Sequence, residues 1–180
     1  MGKHNYSYKE LSSVYPSFKR SRNSQERMLG QYNIIAQKFL KEYEPQGKIE
    51  VSTGYLYDSD DTQRISSIAF DDANDYNVFD EYVKSHIALS ISPEHESDMK
   101  GLEGMIRQFQ KKHGASGPYM PEYQTDNTHM TPPVLFRIPQ EYWNDHDTYA
   151  RILENEVKGL IPGASIALDY VKPIRERYSD

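Results

Sequence analysis

Apolar residues recur at helical spacing in three stretches and alternate at strand spacing in five. Between residues 24 and 43, Met28, Tyr32, Ile35 and Phe39 return at intervals of four, three and four, and Leu29, Ala36, Leu40 and Tyr43 widen the stripe. That pattern predicts an amphipathic helix with one buried face. Ser24 suits its N-cap, and Pro45 with Gly47 its end. A second helix is predicted over 96–112 from Met99, Leu102, Met105, Ile106 and Phe109. Lys111, Lys112 and His113 suit the negative end of its dipole, and Gly114 suits the residue just past it. A third starts at Asp145 or Asp147 and runs to about Lys158, carrying Tyr149, Ile152, Leu153 and Val157.

Alternation predicts strands over 48–57, 64–70, 85–92, 134–138 and 164–171. Within 85–92, Ile87, Leu89 and Ile91 share one face, while His86, Ala88, Ser90 and Ser92 share the other, which reads as the polar side. Two acidic turns, 58–63 and 71–77, flank the second strand, and their carboxylates read as solvated. Residues 78–84 suit one or two helical turns. Residues 114–133 form a long loop rich in Gly, Pro, Tyr, Asn and Thr, a length associated with function in compact domains. The expected fold is α+β: a single domain with a mixed or antiparallel sheet of about five strands and three helices packed on one face. The final strand–helix–strand unit fits a crossover. The domain spans 24–172, preceded by an extended basic aromatic arm (1–23) and followed by a charged tail (173–180).

Composition narrows the function classes. The 180 residues include 15 tyrosines and six phenylalanines, which supply core area despite a modest aliphatic content. There is no cysteine, so disulfides, thiolate nucleophiles and Cys-ligated zinc are excluded. With no apolar run of spanning length and no signal-peptide core, the expectation is a cytoplasmic protein, or one in a host cytoplasm or associated with a virion, with no membrane contact. Net charge is −6, unevenly spread. Residues 1–27 hold Lys3, Lys9, Lys19, Arg20, Arg22 and Arg27 against Glu10 and Glu26, a net of +4, leaving −10 on the remainder. A basic arm on an acidic body suits an anionic target: nucleic acid, or an acidic face of another protein or of a second copy.

The sharpest chemical pattern is a pair of histidines, His86-Ile87-Ala88 on a strand and His129-Met130-Thr131 in the loop. The pair resembles a fragment of the 2H phosphoesterase family, whose two His-x-Thr/Ser motifs lie on neighbouring strands. The resemblance implies a phosphodiesterase acting on RNA or a cyclic nucleotide, with His86 and His129 as acid and base and Thr131 holding a phosphate oxygen. It covers two tripeptides and the helix after the first. Ala88 stands where the family has a hydroxyl, Ser90 lies four residues along, and Pro132-Pro133 places the second motif in a loop or at an edge. The bland alternative is a half-buried strand histidine and a loop histidine.

No metal site is expected: no His-x-x-x-His pair occurs, the Asp residues around His146 serve as helix caps, and an EF-hand from Asp58 fails at Gln63 and Ala69. Glycine-rich nucleotide motifs are absent, so no cofactor is expected. The arm interleaves rings and cations, which suits phosphate neutralisation and base stacking, or docking on a protein. The favoured reading is a non-enzymatic interaction protein, an accessory protein of viral or mobile-element type that binds a protein partner or self-assembles. Its contacts would be Tyr6, Tyr8, Tyr15, Phe18, Arg20 and Arg22 in the arm and Tyr119, Met120 and Tyr123 in the loop, types enriched at interface hot spots. The alternatives are the phosphodiesterase and nucleic-acid binding through residues 1–27.

Overall fold

The alternating segments pair into two three-stranded antiparallel sheets, where one sheet was expected. The computed structural model describes residues 3–15, 22–55, 63–93, 98–117 and 133–168, and their side chains except at 8, 22–27, 53–55, 63–66, 98–102 and 168. In the first sheet, β3 (Gln63–Phe70) lies between β1 (His4–Tyr6) and β2 (Ile49–Tyr55). In the second, β4 (His86–Ser92) lies between β5 (Val134–Arg137) and β6 (Ser165–Leu168). Five α-helices accompany them among the described residues: α1 (Tyr8–Val14), α2 (Arg22–Glu42), α3 (Ala73–Lys84), α4 (Asp98–Lys112) and α5 (His146–Leu160). The class is α+β, and the buried apolar residues of both sheets form one cluster.

The N-terminal segment departs from the expected extended arm. Tyr6 lies in a strand paired to β3 and Tyr15 directly follows α1, and both side chains are fully buried with Leu11 and Val14. The local cause is a capping box: the Ser7 N–H donates to the Glu10 carboxylate at 3.0 Å, closing the first turn of α1. Lys3 reaches across the sheet to Glu50.

Helices also cover both faces of the second sheet, not one. Neighbouring residues of a strand point to opposite faces, and cross-strand partners share a face. His86 stacks on Tyr82 of α3 at 4.2 Å between ring centroids. Phe136, opposite Ile87 in the ladder, meets Phe109 of α4 at 5.8 Å. Sandwiched in this way, β4 is buried from His86 through Ile91, and the face that reads as the polar side is interior.

The second acidic turn is the start of α3, a helix of 12 residues rather than one or two turns. Asp72 is its N-cap, accepting from Asn74 N–H at 2.9 Å and Asp75 N–H at 3.1 Å. Asp75, expected in solvent, is fully buried. It accepts from the Tyr43 hydroxyl (2.7 Å), Gln46 N–H (3.0 Å) and Gly47 N–H (2.8 Å), pinning the turn after α2 to the first turn of α3. Contact is so close here that a Cβ on Gly47 would lie 3.0 Å from Asp72 Cβ and 3.2 Å from its nitrogen. Gly47→Ala is therefore expected to destabilise by about 1–3 kcal/mol, the usual cost of overpacking, read as a lower urea midpoint at unchanged m-value.

Candidate functional site

Two buried histidines meet the end of α1. His86 begins β4, and its Nδ1–H donates to the Tyr82 carbonyl at 2.7 Å, since a carbonyl only accepts; Ser85 Oγ lies 2.9 Å from the same nitrogen. This fixes the tautomer and leaves Nε2 as the lone-pair nitrogen. The residue is 9% exposed, and burial pulls its pKa below the ordinary histidine value, with Arg137 and Lys38 adding to the effect and the Tyr82 carbonyl and Glu42 opposing it. On the same strand face Ala88 and Ser90 are also buried, so Ser90 offers no hydroxyl to a surface-bound phosphate.

His146, at the first position of α5, is fully buried. Its Nε2–H donates to the Lys84 carbonyl at 2.7 Å, and among the described residues Nδ1 has no hydrogen-bond partner. Burial lowers its pKa to about 4, with His86 pushing the same way and the Lys84 carbonyl and Asp145 pushing back. Tyr15 connects the two histidines. Its ring stands edge-on to His146 at 4.6 Å, and its hydroxyl lies 3.4 Å from the His86 carbonyl. Of the two caps that the sequence offers, Asp145 is the one used, accepting from Thr148 N–H at 3.2 Å and Thr148 Oγ1 at 2.6 Å.

A third histidine holds α4 to α5. His113 Nε2 lies 2.7 Å from Glu156, which Lys112 approaches at 3.3 Å, and His113 Nδ1 lies 3.3 Å from the Tyr149 hydroxyl. Of the residues expected to serve the helix dipole, Lys112 and His113 therefore meet a specific carboxylate on the next helix. Burial, Glu156 and Tyr142 together raise the Tyr149 phenol above its ordinary value, which opposes a nucleophilic role. Among the described residues, no group of three or more His, Asp or Glu side chains is placed to hold a metal ion, and no helix is long and apolar enough to cross a membrane.

Of the sequence-predicted contacts, Tyr6 and Tyr15 are core residues and present no ring to a partner in this state. The side chains of Tyr8 and Arg22, and Phe18, Arg20, Tyr119, Met120, Tyr123, His129 and Thr131 altogether, lie outside the described residues. His86 is thus brought together with His146, a residue that the sequence marks only by its neighbouring caps. One signal could have found it: His146, Tyr149, Leu153 and Val157 recur at three, four and four, so His146 belongs to the buried stripe of α5.

The loop between α4 and β5 has a defined base. Gly114 takes φ +64, and Ser116 and Leu135 then exchange both backbone hydrogen bonds, at 2.7 and 2.8 Å. Leu135 is itself buried in β5, so both ends of the loop are fixed to the second sheet. Comparison with family models, with curated proteins and with solved structures finds no match.

Proposed function

We propose that the chain is a non-enzymatic interaction protein of the accessory type, binding a protein partner through the 114–133 loop with Tyr119, Met120 and Tyr123 as anchors. Tyr8, Phe18, Arg20 and Arg22 form a second contact segment, whereas Tyr6 and Tyr15 belong to the core. The observation that carries this reading is the Ser116–Leu135 bridge. A loop whose ends are fixed has already lost part of its closure entropy, so less of its binding free energy is spent on ordering. Tyr and Met supply the large contact area that such loops need. The chemistry-bearing side chains fit the same reading: His86, His146, His113 and Asp75 are each committed to a contact that joins two elements of the fold.

The test is native mass in extract of the source cells. The tagged chain is expected to run in an assembly well above its own 21.0 kDa. Replacing residues 118–131 with a Gly/Ser linker is expected to return it to monomer mass with an unchanged circular dichroism spectrum. A wild-type chain that runs as a monomer, or an assembly that survives loop replacement, overturns the reading. An assembly whose mass is a multiple of the chain's own identifies the partner as a second copy.

A further inference from the structure

We propose that the buried histidine pair is an acid-sensitive latch on the N-terminal segment: protonation of His146 releases residues 8–15 from the body while β1 stays in its sheet. This does not depend on the loop being a binding element.

The latch is built from contacts at one end of α1. Tyr15, fully buried, directly follows the helix, and its N–H bonds the Leu11 carbonyl at 2.9 Å. Its ring stands against His146 and its hydroxyl lies beside the His86 carbonyl, at 4.6 and 3.4 Å. With only seven residues, α1 cannot sustain itself in water without docking. At the other end, β1 has separate anchorage: Tyr6 packs on Phe79 at 5.0 Å and on Tyr32 at 6.2 Å, and β1 is hydrogen-bonded to β3.

His146 has one place for a second proton. Nε2–H is committed to the Lys84 carbonyl, so the proton goes to Nδ1, which is buried and has no partner among the described residues. The protonated ring then carries a charge and an unsatisfied donor in the interior, both costly. Undocking Tyr15 uncovers the ring and admits water.

The surrounding charges do not outweigh burial: ionised Asp145 favours the charged ring, yet the closed ring still titrates near 4. From β4 comes His86, itself basic; from α2, Lys38 and Glu42, and from β5, Arg137, act on His86. From α3 the Lys84 carbonyl accepts from His146, and the Lys84 ammonium is paired with Asp80 at 2.8 Å. On α5 itself, Asp145 is held below the usual carboxylate range by Thr148 and stays ionised, and Asp147 acts on Tyr15.

The sign follows from the closed ring titrating near 4 and an uncovered ring near 6.5. The open state binds the proton more readily, so opening grows as pH falls from about 6.5 towards 4. Between pH 7 and pH 4.5 the opening constant is expected to rise roughly 50-fold by proton linkage from that pKa of about 4.

The experiment is amide hydrogen exchange on the full chain. The protection factor of the Tyr15 amide is expected to fall by that factor between pH 7 and 4.5, while amides of β1 and β4 keep theirs. His146→Gln, which keeps a donor for Lys84 but cannot charge, is expected to abolish the response. Protection at Tyr15 that is unchanged, that falls in step with β4, or that still responds in His146→Gln overturns the latch. Should that variant not fold, the wild-type His146 ring titration decides. A ring midpoint near 4 with Tyr15 protection falling above it, between pH 6.5 and 4, supports the latch; a ring midpoint near 6.5, or protection that falls only below pH 4, overturns it.

Discussion

Replacing Phe79 with alanine is expected to destabilise the chain by about 3–5 kcal/mol, the range for deleting a fully buried aromatic. Phe79 is where elements distant in sequence meet. Its ring lies 5.0 Å from Tyr6 of β1, 4.9 Å from Phe39 and 6.1 Å from Tyr32 of α2, and 5.4 Å from Phe70 of β3. The four rings around the void left behind are held on three separate elements, β1, α2 and β3, so they cannot collapse together to fill it. The loss is a large part of the roughly 5–15 kcal/mol that holds a typical domain. Urea unfolding checks it: the midpoint falls at constant m-value. A change below about 1 kcal/mol, less than any buried Phe→Ala should give, contradicts this description of the core.

Asp75→Asn is expected to cost about 3 kcal/mol, because a buried carboxylate loses its charge and one of its donors then faces an amide N–H. Burial alone would raise the Asp75 pKa. The Gln46 N–H, the Tyr43 hydroxyl and the Gly47 N–H outweigh burial and hold it below the ordinary aspartate value. The ionised group therefore contributes stability that is present above the unfolded value of about 3.9 and is lost as pH falls through the lower folded value. The gap between wild type and Asp75→Asn should be constant from pH 5 to pH 7 and should narrow below about pH 4. Chemical denaturation across that range measures it, and a gap that widens in acid contradicts the assignment.

Much of the element order is legible along the chain. The stripe from Met28 to Phe39 locates α2, and the cap at Asp145 locates α5. The misses share a cause: side chains typical of turns that in fact begin helices. Asp71 to Asn77 reads as a turn by composition, but Asp72 is an N-cap, and Asp75, Phe79 and Val83 form the buried stripe of the helix it starts. Ser7 and Glu10 carry a capping-box signature that the alternating tyrosines around them obscure.

Pairing is not local information, so nothing in the alternation distinguishes one sheet from two. The polar residues of β4 mislead for a related reason. His86 looks like a surface residue until α3 supplies the Tyr82 carbonyl and a ring to stack on. The candidate site was half legible. His86 stood out, whereas its neighbour His146 comes from an element 60 residues later that only the tertiary fold brings near.

Photo-crosslinking in the source cells tests most directly whether the loop is the binding element. A photoreactive phenylalanine replaces Tyr119 or Tyr123, with exposed Glu141 as the control position. A discrete adduct from both loop positions, absent from Glu141, is the predicted result. Loop positions that give no adduct, or only the adducts Glu141 gives, contradict it.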